Sequence, residues 1–329
     1  MPRPSAPHSH PAGLGRRFLG HSMKLSQRRY HGPADQVPMA DLARQFAADN
    51  MHVVDLPYRF SSWAFDTPEN VGLWVNGQGE LMAWAVLQTP FWALDYAYHP
   101  AAATADIHQH LLTWADQRAR QCLDTPSGRP MWFINVFAGQ NQRLADLEAM
   151  GFVDVGQWGE DSWSKVLLRR PGPAPVDQYQ LPAGFVIRPL AGPGEVEAYV
   201  ELHQRVFNSK SMTAPWRHRT LEHPAYTGEL DLVAVAPNGQ LAAFCIGWLD
   251  RAGQTVAGQI EPLGVDEAFR GQHLGRSLLL ETLTRLQSHG AENLYVETDN
   301  QRDAALSLYQ DQAVGFQVIQ DVRVYRKDY

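Results

Sequence analysis

The chain has 329 residues and a formal net charge of -7, which argues against the basic face of a nucleic-acid binder. Its 44% hydrophobic and 19% charged residues describe an ordinary globular protein long enough for two average domains. No apolar run approaches the roughly 18 residues that span a bilayer. Cys122 and Cys245 are too few for a disulfide framework, so a cytoplasmic protein with neither membrane nor nucleic-acid partners is expected. Residues 1–22 are rich in Pro, Gly and His and read as disordered. The twin arginine in GRRFLG is followed by no apolar stretch, so it is not read as an export signal, and Met23 is an alternative start.

From residue 23 the chain reads as two copies of one unit, offset by about 160 residues. VGLWVNGQGELMAWAVL (71–87) resembles DLVAVAPNGQLAAFCIGWL (231–249), each two apolar strands joined by an Asn-Gly turn. FWALDYAYHP stands where QIEPLGVDE stands later. IHQHLLTW starts a helix where LGRSLLLE does. MWFINVFAGQNQR echoes NLYVETDNQR, and LEAMGF echoes LYQDQAVGF. The Pro-rich run RPGPAPVDQY reads as a linker, which gives a first domain over 23–169, a linker over 170–180 and a second domain over 181–329.

In the second copy, residues 195–207 read as a helix and residues 209–226 as a long polar, aromatic loop in which Trp216, Arg217 and His218 are candidate acceptor contacts. His203, His218 and His223 lack metal-ligand spacing and read as surface residues, and no metal is expected. An apolar strand over 259–265 then hands over to FRGQHLGRSLL. Arg270, Gly271 and Gly275 make a tight turn, and a helix follows over 277–289 with Leu279, Leu283 and Leu286 on one face and Gly290 as its stop. A helix N-terminus presents unpartnered amides and partial positive charge, so this strand, turn and helix form a candidate pyrophosphate cradle. A strand over 293–298, a helix over 303–309 and a last strand opened by Gly315-Phe316 complete the unit.

These motifs together resemble the GNAT superfamily of N-acetyltransferases over residues 185–329. Val265, Arg270 and Gly275 fall on the family's V-x-P and [RQ]-x-x-G-x-[GA] block; Ala305, Leu308, Tyr309, Gly315 and Phe316 fall on A-x-x-LY-x-x-x-GF. His273 replaces the first loop glycine, and the stretch from Tyr309 to Gly315 is two residues longer than the family's. The tandem arrangement resembles mycothiol synthase-like proteins. The resemblance implies an α/β (mixed α+β) fold of two tandem GNAT-like domains, each with a mixed, mostly antiparallel sheet flanked by helices. It implies acetyl transfer from acetyl-CoA to a primary amine in the second domain, with no metal. The strand before the cradle would splay from its neighbour to admit the pantetheine arm, which suits the interruptions at Pro262 and Gly264. Leu263, Gly264, Val265, Arg270, Gly271, Gln272, His273, Leu274, Gly275, Arg276 and, by family spacing, Arg302 would bind the cofactor.

An ammonium must lose a proton before it attacks. Glu261, on an apolar strand that would raise its pKa, is the candidate base, with Gln259 as a polar wall beside it. Tyr309 is the candidate acid for the leaving thiolate. Counted back from the matched helices, Arg270, Gly275 and Glu261 correspond to Ala103, His108 and Leu94, and Tyr309 to Leu147 counted from the closing Gly-Phe. The first copy, which holds Trp63, Trp74, Trp84, Trp92 and Trp114, is therefore read as catalytically silent. The acceptor class stays open among aminoglycoside-like compounds, amino-sugar thiols, polyamines and peptide or protein amines, as does a homodimer. The competing reading is a non-catalytic CoA-binding, sensory or interaction module with both copies degenerate. A nucleotide-binding loop is disfavoured because no Lys-Ser/Thr follows the glycines.

Overall fold

The computed structural model describes residues 24–102, 105–156, 165–299 and 303–329. The expectations placed on residues 1–22, Met23, Ala103 and Arg302 lie outside the described residues.

The first half runs β1 (Ser26–Arg28), α1 (Gln36–Gln45), α2 (Leu56–Phe60), β2 (Val71–Val75), β3 (Leu81–Gln88), β4 (Ala93–Tyr98), α3 (Ala105–Cys122), β5 (Met131–Phe137), α4 (Asn141–Ala149), β6 (Val153–Asp154) and β7 (Lys165–Pro171). The second runs β8 (Val186–Pro189), α5 (Val196–Phe207), α6 (Ala214–Glu222), β9 (Asp231–Val235), β10 (Leu241–Asp250), β11 (Ala257–Val265), α7 (Leu274–Ser288), β12 (Asn293–Asp299), α8 (Asp303–Gln310) and β13 (Gln317–Asp328). Apart from the parallel pairs β4–β5 and β11–β12, neighbouring strands are antiparallel, and helices cover the sheet.

The hairpins at the start of each half match residue for residue. Asn76 N donates to Glu80 O and Ala236 N to Gln240 O, with Gly79 (φ 81°) and Gly239 (φ 84°) in the left-handed region. The glycine that turns the first hairpin is thus Gly79, not the Gly77 of the Asn-Gly pair. Asn76 contributes differently, its side-chain oxygen accepting from the amides of Gln78 and Glu80.

One continuous sheet carries both halves, in the order β1-β2-β3-β4-β5-β13-β7-β12-β11-β10-β9-β8. The closing strands are exchanged. β13, last in the chain, pairs with β5 of the first half, and β7 pairs with β12 of the second. β13 and β7 also pair with each other, so the exchanged strands join the two halves into one sheet. Arg170, at the head of the expected linker, ends β7 and is buried, donating to the carbonyls of Ala174 and Pro175 at 2.8 and 2.7 Å. The Pro-rich run is therefore fastened to the sheet at its start.

Four cores result, two on each face. α7 packs Leu279, Leu283 and Leu286 on Ile260, Leu294 and Val296; α3 packs Leu111, Leu112 and Ala115 on Leu94, Ile134 and Val136. On the other face, α5 and α6 cover Phe244, Ile246 and Trp248, while α1 and α2 cover Trp84, Val86 and Ala97. α2 also reaches the second half, where Tyr58 joins the core of Tyr199, Trp216 and Trp248.

Candidate active site

β11 and β12 pair from Ala257–Asn293 through Ile260–Val296 and no further. Each keeps its outer partner beyond that point: Val265 still pairs with Ala243, and Asp299 with Lys165. A wedge therefore opens between residues 261–265 and 297–299, as the resemblance implied. Its local cause is legible. Pro262 has no N–H to give a ladder, and the register of β10 against β11 slips between Cys245 and Gly247, so Glu261 and Pro262 together oppose Ile246. Trp248 Nε1 fixes the Glu261 carbonyl at 2.7 Å. A Cβ on Gly264 would stand 2.5 Å from Phe244 and 2.6 Å from Val206, so only glycine fits there. An extended acyl chain can lie in such a wedge as a partial strand.

The wedge leads to the cradle. α7 starts at Leu274, three residues earlier than its apolar spacing suggests. Its first amides, with those of Gly271 to His273, find no acceptor among the described residues, and the first bond of the turn is Ser277 N to His273 O. Gly271 has φ 76° and nothing near its absent Cβ. His273 takes the left-handed conformation (φ 59°, ψ 15°) of the glycine it replaces, at a cost of about 1–2 kcal/mol, and its exposed side chain leaves the turn intact. Gly275 brings the helix within 3.2 Å (Cβ position to Val265 Cγ2), so a larger residue would push helix and strand apart. Leu263 and Val265 are half-buried on the wedge strand, Gln272 beside the turn, and Leu274 is buried under it. Arg270 is exposed at the lip, and Arg276 lies 3.3 Å from Asp311.

Glu261 and Tyr309 approach the wedge from opposite faces. Ile260 and Val296 point into the α7 core, so Glu261 and Glu297, one residue on, face α2 and α5. Glu261 is half-buried; desolvation, then the charges of Asp55 and Glu297, push its carboxyl up from 4.5 to about 7. Tyr309, from α8, is buried in the α7 core, and burial, Cys245 and Glu261 hold its phenol well above its ordinary value. The two residues added after Tyr309 are absorbed in the turn where Val314 and Gly315 donate to Asp311 O and Phe316 N to Tyr309 O. Gln259 is buried beneath Glu261.

The acceptor side departs from expectation. Residues 214–222 form a helix rather than a loop, because Thr213 Oγ1 accepts from Trp216 N at 3.3 Å and Pro215 sits in the first turn, where its missing N–H costs nothing. Trp216 and Arg217 are buried, Arg217 on Asp231 and over the Tyr199 ring at 3.8 Å, so neither is placed to touch an acceptor. His203 is buried too, its Nε2 3.4 Å from Tyr58 Oη. No group of three His, Cys, Asp or Glu side chains positioned to hold a metal occurs among the described residues. The groups that do face Glu261 include Asp55, Glu297, Lys165, Arg59, Tyr58 and Tyr199. Glu297 could have been found from its register beside Glu261. Asp55, Tyr58 and Lys165 come from the other half and carry no local motif.

The first half has an equivalent wedge, now filled. β4 and β5 pair only at Ala93–Phe133 and Leu94–Ile134. The last parallel rung thus aligns Leu94 with Ile260, and the equivalent of Glu261 is Asp95, not Leu94 as counting along the chain suggested. Asp95 is tied in a buried bidentate pair with Arg59, 2.6 and 2.7 Å, and is no free base. Arg143 lies over the rings of Tyr96 and Tyr98 at 5.0 and 4.6 Å, and His108, the counterpart of Gly275, is buried against Asp146 at 2.8 Å.

Residues 196–316 match the acetyltransferase (GNAT) family, so the second half contains a GNAT domain, and its splayed parallel pair and open helix N-terminus lie within that match. The chain is similar to mycothiol acetyltransferase of Salinispora arenicola, 30% identical over 151 residues (44% of this chain, 48% of the relative), and to that of Kineococcus radiotolerans, 34% identical over 134 residues (39% and 42%). It spans about half the length of the curated relatives it matches. In fold it is similar to a tandem GNAT protein from the clavulanic acid biosynthesis pathway (TM-score 0.67, 15% identical, 93% of this chain and 98% of that one). It is likewise similar to a GCN5-related N-acetyltransferase from Sphaerobacter thermophilus (TM-score 0.64, 20% identical, 92% and 95%). The fold is two GNAT-like domains in tandem, and no described helix is long and apolar enough to cross a membrane.

Proposed function

We propose that this protein is an N-acetyltransferase that moves an acetyl group from acetyl-CoA directly to a primary amine, in its second half. The observation that carries the reading is Glu261: a carboxyl with a pKa of about 7 at the mouth of the wedge, with the Tyr309 phenol on the other side of the gap. Acetyl-CoA would lie with its pyrophosphate at the amides of Gly271 to Arg276 and its pantetheine arm along Leu263, Gly264 and Val265. Arg270 would reach the phosphates from the lip of the turn. Arg302 remains a cofactor contact on the resemblance alone.

Glu261, half ionised near neutrality, would take the ammonium proton, directly or through a water. The free amine attacks the thioester carbon, and the C–S bond breaks as the tetrahedral intermediate collapses. Tyr309, held neutral by burial, would give its proton to the departing sulfur and recover one from the second proton that the nitrogen sheds as it becomes the amide. Each transfer is worth roughly 10²- to 10⁴-fold. The first half, with Asp95 locked and its wedge filled, would be silent in catalysis and would wall the acceptor's approach. The name of the curated relatives favours a small-molecule acceptor over a protein one. A reducing compartment such as the cytoplasm suits the two free, buried cysteines.

The test is thiol release from acetyl-CoA with a panel of small amines, wild type against Glu261→Gln. Amine-dependent release that falls at least 100-fold in the variant supports the reading. No release above the buffer rate with any amine would leave a module that binds but does not catalyse.

A further inference from the structure

The acceptor side of the wedge holds two carboxylates that the proposed chemistry does not use. Asp55 stands at the head of α2, in the first half, and is 1% exposed. Glu297 stands on β12, in the second half, with its side chain 7% exposed. His52 Nδ1 lies 3.1 Å from Asp55 Oδ2 and 3.3 Å from Glu297 Oε1. The one hydrogen that Nδ1 carries in the imidazolium can serve only one of them, and Asp55 Oδ2 is the nearer. Asp55 Oδ1 and Glu297 Oε1 are then buried with no hydrogen-bond partner. A buried, unpartnered carboxylate oxygen is costly, and such groups are kept where something else completes them.

The charge balance points to what that is. Arg59 is matched by its bidentate pair with Asp95. Arg59 also faces Asp55, Glu297 and Glu261, so the cluster sets the carboxylates Asp95, Asp55, Glu297 and Glu261 against Arg59, His52 and Lys165. With Glu261 ionised, the acceptor side is one positive charge short. The surrounding wall is aromatic: the Tyr58 ring lies 6.3 Å from Trp248, and Tyr199 5.2 Å from Phe244. Carboxylates set among aromatic faces suit a compact cation and exclude an anion.

We infer that Asp55 and Glu297 together seat the ammonium of the acceptor, so that the catalytically silent half supplies a recognition residue to the active site of the other. The acceptor class is then a small primary amine that enters protonated and carries no acidic group near the nitrogen. The seat holds the ammonium beside Glu261, which removes the proton. Asp55 is a positioning residue; it holds the reacting nitrogen and takes no proton. The fusion of two halves has a functional reason in this arrangement, since neither half alone contains the seat.

This inference rests on the acetyltransferase reading, and the experiment separates the two. Acetyl-CoA binding is measured first by calorimetry on the full chain. Thiol release is then followed at pH 8 with glucosamine, cysteamine and putrescine as cationic acceptors and taurine as an acid-bearing one. For the best cationic acceptor, Asp55→Asn is expected to raise KM at least tenfold with kcat within about threefold and acetyl-CoA affinity unchanged. Glu297→Gln, reaching the seat from the other half, should do the same and covers the case in which Asp55→Asn does not fold. Glu261→Gln should instead lose kcat. An unchanged acceptor KM in both carboxamide variants, or taurine used as well as the cationic amines, overturns the seat. So does release with taurine and with none of the cationic amines, whereas acetyl-CoA binding without release by any amine overturns the acetyltransferase reading itself. Failure of acetyl-CoA itself to bind overturns the underlying reading.

Discussion

Replacing Glu261 with glutamine should make the protein less active and more stable, and both effects should follow one titration. The carboxyl is raised from 4.5 to about 7 in the folded chain. At 1.36 kcal/mol per decade, ionising it there costs about 3 kcal/mol more than in the unfolded chain. Folding takes up a proton at this site. The stability associated with the neutral carboxyl is therefore fully present below about 4.5 and is lost as pH rises through about 7. Glutamine cannot ionise and avoids the loss. The variant should match the wild type near pH 4.5 and exceed it by about 3 kcal/mol at pH 8, on the order of 5 °C in melting temperature. Activity should run the other way. In the wild type, kcat/KM should rise tenfold per pH unit below about 7 and level off above it; in the variant, turnover should be down by roughly 10²- to 10⁴-fold without that rise. Melting curves at four pH values and a pH–rate profile read both. A stability difference that does not change between pH 4.5 and 8 would refute the raised carboxyl, and a wild-type profile flat through pH 7 would refute its role as base.

Three further changes test the frame around the site. Tyr309→Phe should lower kcat by roughly 10²-fold while acetyl-CoA affinity holds, measured by steady-state kinetics beside calorimetry. Arg59→Ala strands the buried Asp95 carboxylate and should cost about 3–5 kcal/mol in denaturant melts, much of it recovered in Arg59→Met with Asp95→Leu. Gly264→Ala places a methyl 2.5 Å from Phe244 and should cost about 1–3 kcal/mol and weaken acetyl-CoA binding, since the wedge strand must shift.

Much of the second half could be read from the chain because its signals are local. The apolar strand, the glycines of the turn and the leucines at 279, 283 and 286 each state their own conformation; β11, β12 and α8 lie where these signals put them, and α7 starts three residues early. The internal repeat was equally legible, down to matched hairpins. The exchange of β7 and β13 was not, because alternation along a strand names its faces and never its neighbours. Asp95 was missed for a related reason. Counting from helix starts slid past the bulge at Glu261–Pro262, whereas the last parallel rung aligns the strands correctly. α6 was hidden by its polar, Pro-containing sequence, in which the Thr213 cap was the overlooked signal. Asp55 had no signal at all. Its importance comes from where α2 lands on the other half, a property of the packed protein.

The account rests on one cofactor cradle per chain, and calorimetric titration with acetyl-CoA on the wild type and Gly275→Glu tests it most directly. The glutamate would collide with Val265 and bring negative charge to the phosphate amides. One site per chain, abolished by the substitution, is the predicted result. Two sites per chain, or binding that survives Gly275→Glu, would contradict it.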